Sequence, residues 1–128
     1  MIFMSLLESG QNYLEAILRL SKNNHEVHAI DIVNDLGYSK PSVSIALKKL
    51  KQEGYVIIDS QSHIHLTEKG LEIAEMIYER HKILTSLLIE LGVSEEIAEE
   101  DACKIEHDLS NESFKAIKEA YYKMKSEK

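Results

Sequence analysis

The sequence predicts a mainly α-helical protein: an N-terminal winged helix-turn-helix (three helices plus a two-stranded wing), followed by a second, helical half. Three observations carry this. Apolar residues recur at helical spacing along most of the chain, interrupted by one short β-rich stretch at 55–67. The single proline, Pro41, stands where a helix begins. The order helix, helix, short turn, helix, hairpin is that of a winged DNA-binding module.

The first helix is predicted over 11–21, where Tyr13, Leu14, Ile17, Leu18 and Leu20 share a face and the polar NNHE at 23–26 breaks it. A second runs through HAIDIVNDLG, with Ile30, Val33 and Leu36 on one stripe and Gly37 as its C-cap. A third is predicted over 39–54. Ser39 is its N-cap, Pro41 lies in its first turn, Val43, Ala46, Leu47 and Leu50 face inward, and Gly54 ends it. Tyr55–Ile58 and Ile64–Leu66 then read as a hairpin around the turn-like Asp59–Ser62. Thr67 caps a long helix over about 68–91, ended by Gly92. Ser94 caps a fifth to about Asp108, and Ser110 a sixth to about Lys123, with KMKSEK expected to fray. The expected domains are 1–70, which binds DNA, and 71–128, which is helical.

Charge divides the same way. Residues 1–70 carry 7 Lys/Arg against 8 Asp/Glu (−1), and residues 71–128 carry 8 against 14 (−6), within a net charge of −7. Phosphate contact needs local positive charge, which only the first half can supply. No apolar run approaches the ~20 residues that span a bilayer. The opening MIFMSLLESG lacks a basic leader and a cleavage site, so it is not expected to be a secretory signal. One cysteine, Cys103, excludes an intrachain disulfide and fits a reducing compartment, so the expected location is the cytoplasm. No nucleophile motif or oxyanion motif points to an enzyme.

In a winged helix-turn-helix the third helix enters the major groove by its N-terminal residues. Those are Ser39, Lys40, Pro41, Ser42 and Ser44, with Lys48, Lys49 and Lys51 placed to meet phosphates and His63 near the hairpin tip. The stretch carries no arginine, the usual guanine reader, so DNA shape is expected to contribute to sequence preference.

Within DACKIEHDLS, Cys103, Glu106 and His107 stand at i, i+3 and i+4, and one helical face would gather a thiolate, a carboxylate and an imidazole. Such a mixed set suits a divalent first-row transition metal. Asn12 and Glu15 are likewise three apart on the first helix, and His81 lies midway along the long one. The residues alone leave a second reading open: a small buried cysteine beside a surface Glu–His pair. His25, His28, His63 and His65 show no ligand spacing.

NYLEAILRL, SKPSVSIALKKLKQEGYV, HLTEKG, ERHKILTSLL and DACKIEHDLS occur in this order over roughly residues 9–115. In these pieces the chain resembles the diphtheria-toxin-repressor and manganese-transport-regulator family of metal-dependent repressors. The resemblance implies metal ligands at Glu15, His81, Glu106 and His107. It places Asn12 where manganese-type members have Asp and iron-type members Met, and Cys103 where they have Glu and Cys respectively. It also implies the short architecture that lacks the additional C-terminal domain. A thiolate and an amide in place of two carboxylates make the set softer and less negative, favouring Fe²⁺ over Mn²⁺ and tolerating Co²⁺, Ni²⁺ or Zn²⁺. Glu99, one turn before Cys103, is a candidate for an ancillary site with His81. The expected protein is therefore a metal-dependent repressor of metal-homeostasis genes, with 71–128 as its helical metal-binding and dimerisation domain, a homodimer on a double-stranded DNA operator, with no membrane partner and no organic cofactor. The expected dimer surface is Ile97, Ala98 and Ile105 with Phe114, Ile117 and Tyr121, with a core-only role as the alternative for the same residues. Two rivals remain: a winged-helix regulator answering to a small organic ligand or to none, and a metal-dependent hydrolase.

Overall fold

The computed structural model describes residues 8–23 and 26–127; the opening segment 1–7 and His25 lie outside them. Six helices and one hairpin follow in the predicted order: α1 (Glu8–Asn23), α2 (Ala29–Leu36), α3 (Lys40–Gln52), β1 (Val56–Ile58), β2 (Ile64–Leu66), α4 (Glu68–Glu90), α5 (Glu95–Ile105) and α6 (Asn111–Ser126). The chain divides into two compact units, the first ending at Met76 and the second beginning at Ile77, within α4.

In the first unit α1 buries Tyr13, Leu14, Ala16, Ile17 and Leu18, the face its apolar spacing predicts. α2 ends on Gly37, whose φ of 73° is the left-handed cap that glycine adopts without strain. Ser39 starts α3 by accepting the Ser42 amide, and Val43, Leu47 and Leu50 are its buried stripe. β1 and β2 pair antiparallel with Ile57 opposite His65. The Ile64 amide donates to the Val27 carbonyl at 2.8 Å, tying the hairpin to the segment before α2.

The joint between hairpin and α4 is tight. The Thr67 hydroxyl donates to the Gly54 carbonyl at 2.7 Å and accepts the Gly70 amide at 3.1 Å, capping α4 as predicted. A Cβ at Gly70 would lie 2.1 Å from the Tyr55 carbonyl oxygen, a backbone atom that cannot swing away. In an exposed helix, Gly→Ala gains about 1 kcal/mol. Gly70→Ala is instead expected to lose about 2–3 kcal/mol through overpacking, seen as a fall in the urea midpoint.

In the second unit α5 starts on Ser94, which accepts the Ile97 amide, and α6 on Ser110, which accepts the Ser113 amide. Two boundaries differ from expectation. α6 continues through Ser126, so the tail up to that residue is helical, and Lys125 donates to Glu90 at 3.1 Å to hold it. α5 stops at Ile105 rather than near Asp108. Beyond it the Glu106 and Leu109 carbonyls turn to the Arg80 guanidinium. Of the expected dimer surface, Ala98 and Phe114 are core residues, while Ile97 and Ile105 are exposed.

Candidate metal centre and nucleic-acid interface

In the second unit Glu106 is the organising residue. Its side chain is 3 % exposed. One oxygen lies 2.9 Å from His81 Nδ1 and the other 3.5 Å from His107 Nε2. Burying a carboxylate is costly unless it is paired or coordinated, and here imidazoles face both oxygens. Arg80 fixes the turn that presents it. Nη1 donates to the Glu106 and Leu109 carbonyls at 2.8 and 2.7 Å, and Nη2 to Asn111 Oδ1 at 2.8 Å. The guanidinium also lies 5.2 Å from the Phe114 ring. Burial pulls the Arg80 pKa below its usual value, and Glu106 acts against that shift.

Cys103 is exposed on α5, Glu106 is the C-cap of that helix with helical backbone angles, and His107 follows it. Glu99 is exposed on the same helix. Asn12 and Glu15 lie on α1, in the first unit. Glu15 is buried there and accepts from Arg19 Nε at 2.6 Å, and the two terminal nitrogens of Arg19 clamp Asp35 at 3.1 and 2.8 Å. Hydrogen bonding to Asp35 is the largest cause raising the Arg19 pKa. Among the described residues no three His, Cys, Asp or Glu side chains are spaced to hold a metal as they stand. The donor chemistry of Glu106, His81 and His107, one hard oxygen ligand and two imidazoles, nonetheless suits a first-row divalent ion.

On the first unit, Ser39, Lys40, Pro41, Ser42, Ser44, Lys48 and Lys49 are all exposed on or at the start of α3. Ile45, 71 % exposed beside them, was not singled out by the sequence pattern. His63 is not at the hairpin tip. Its ring is 15 % exposed, between Glu26 at 3.6 Å and Asp59 at 3.5 Å, and meets the His28 ring edge-on at 4.6 Å. Asp59 organises the turn by accepting the Gln61 and His63 amides at 2.9 and 3.0 Å, and its other oxygen bonds His65 Nε2 at 2.9 Å.

The His65 hydrogen bond, then those amides, lowers the Asp59 pKa from 3.8 to about 2. A carboxylate whose folded pKa is depressed stabilises the fold above its unfolded value and loses that contribution as pH falls through the folded one. The Gln61 and His63 amide resonances are therefore expected to shift as pH falls from about 4 to about 2, and Asp59→Asn to remove the transition.

Sequence spacing also missed Arg80 and Arg19. The available signal was composition: these are the two arginines in a sequence otherwise using lysine, and both make multidentate contacts that lysine cannot reproduce.

Two stretches of the chain match one family, and they divide just before α4 rather than within it. Residues 5–64 match the N-terminal DNA binding domain of the iron dependent repressors, and residues 67–127 match their metal binding and dimerisation domain. The chain belongs to the iron dependent repressor family. The family's DNA-binding domain and its metal-binding, dimerising domain are thus both present. An uncharacterized HTH-type transcriptional regulator of Methanocaldococcus jannaschii is 38% identical over 113 residues, 87% of this chain and 90% of that protein. The transcriptional regulator MntR of Escherichia coli is 36% identical over 107 residues, 84% of this chain and 69% of that one. Among solved structures, the manganese regulator SloR superposes with a TM-score of 0.77 at 28% identity, covering 86% of this chain. This chain spans 52% of the SloR chain, about half its length.

Proposed function

We propose that this family member is a metal-activated transcriptional repressor that binds a double-stranded DNA operator as a cytoplasmic homodimer. The carrying observation is the buried Glu106 carboxylate between His81 and His107, within the stretch matching the metal binding and dimerisation domain. The proposed ligands are Asn12, Glu15, His81, Cys103, Glu106 and His107, with Arg80 positioning Glu106. Bound there, a divalent ion supplies the positive charge that relieves the buried carboxylate and gives these ligands a common partner. Occupancy by the ion would favour the DNA-competent form by linkage. On α3, Ser39, Lys40, Pro41, Ser42 and Ser44 meet base edges, Ile45 offers an apolar contact to thymine methyls, and Lys48 and Lys49 meet phosphates. No described helix is long and apolar enough to cross a membrane.

The Cys103 thiolate makes this set softer, and the Asn12 amide makes it less negative, than one with carboxylates at both positions, so Fe²⁺ is the proposed effector, with Co²⁺, Ni²⁺ and Zn²⁺ as substitutes. The test is an anaerobic titration of binding to a duplex selected in vitro from random DNA. Activation at lower free Fe²⁺ than Mn²⁺ is expected. Selective activation by Mn²⁺ would contradict the softness argument.

A further inference from the structure

The first unit carries a surface cleft of about 530 Å³ between the start of α2, the outer face of α3 and the β1–β2 hairpin. That volume lies in the range of small-molecule sites, roughly 300–1,000 Å³. Its apolar lining includes Leu47, Ile58 and Ile64, and its polar lining includes Ser44, Lys48 and Lys51, with His28 at the α2 end. Ser44, Lys48 and Lys51 stand at i, i+4 and i+7 of α3, so they line one face and project two ammonium groups together. Among the described residues no Asp or Glu lines the cleft, in a chain whose net charge is −7. A cleft that is apolar on one side and cationic on the other is complementary to a molecule with an apolar body and an anionic head.

We propose that this cleft binds a small amphipathic organic anion, an aromatic or aliphatic carboxylate or sulfonate. The apolar body lies against Leu47, Ile58 and Ile64, and the anionic group meets Lys48 and Lys51, with the Ser44 hydroxyl as a further donor. A DNA phosphate would satisfy the lysines but leave the apolar wall unused. The further consequence rests on the DNA-binding reading of α3. Ser44 and Lys48 belong to both surfaces, so an occupant of the cleft opposes DNA.

The test uses anilinonaphthalene sulfonate as the anionic probe and phenylnaphthylamine as its uncharged counterpart, titrated into the full chain and followed by fluorescence. One saturable sulfonate site is expected, weakened about tenfold in the Lys48→Gln/Lys51→Gln variant. The neutral probe should bind more weakly and respond little to the substitutions. Amide resonances of Ser44, Lys48, Ile58 and Ser62 should move with the sulfonate in the wild-type chain. Sulfonate affinity unchanged in the double variant, or shifts confined elsewhere, would overturn the proposal. Both substituted side chains are exposed, and an unchanged far-ultraviolet circular dichroism spectrum confirms that the variant folds. A selected DNA duplex then separates the two claims. Displacement by the sulfonate supports both, whereas probe binding at the cleft without displacement upholds the site and overturns the placement of DNA on α3.

Discussion

His107→Ala is expected to reduce metal-activated DNA binding to the level seen in chelator, with metal affinity falling by at least about 100-fold. Loss of a second-shell partner alone costs 10–100-fold, and His107 is proposed as a direct ligand. Its side chain is 3 % exposed and faces the Glu106 oxygen that His81 does not bond. Removing it takes an imidazole from a buried carboxylate that keeps its contact with His81. Alanine also leaves a void, so His107→Gln, closer in size, serves as the companion variant. Both should lose the metal-dependent rise in thermal stability, which reaches about 2.7 kcal/mol at a hundredfold excess over the dissociation constant. The metal-free affinity of either variant for random DNA should stay near wild type, because that term comes from lysine–phosphate contact on α3. Equal metal dependence of DNA binding in wild type and both variants would remove His107 from the ligand set.

Arg80→Met is expected to destabilise the second unit by about 3–5 kcal/mol, the range for breaking a buried charged network. The guanidinium is 2 % exposed and holds the Glu106 carbonyl, the Leu109 carbonyl and the Asn111 side chain. Methionine fills much of the volume but leaves these acceptors without their donor, at about 1–3 kcal/mol each where they stay buried. Arg80→Lys restores charge but, as a point donor, cannot bridge all three groups. It should recover only part of the loss. The urea midpoint measures this, and a Met variant within about 1 kcal/mol of wild type would show that Arg80 does not hold the turn.

The features legible in the sequence are local ones. Ser39, Ser94, Ser110 and Gly37 act within one turn of their own helix, so capping chemistry places those ends correctly. The end of α5 is set by an arginine on α4, 26 residues before Glu106, and no property of DACKIEHDLS reveals it. His63 is a similar case. Read along the hairpin it is a tip residue, but Glu26 and His28, brought in by the Val27–Ile64 hydrogen bond, enclose it. Within the candidate centre, residue types were readable and their partners were not. The pairing of His81 with Glu106 depends on α4 meeting the turn after α5.

Metal activation is tested most directly by the equilibrium affinity of the purified chain for a selected operator duplex, measured anaerobically with Fe²⁺ and then with excess chelator. Metal is expected to tighten binding by at least about tenfold, a coupling of roughly 1.4 kcal/mol, with the gain lost on chelation and absent in His107→Ala. Tight binding of equal strength with metal and with chelator would contradict it.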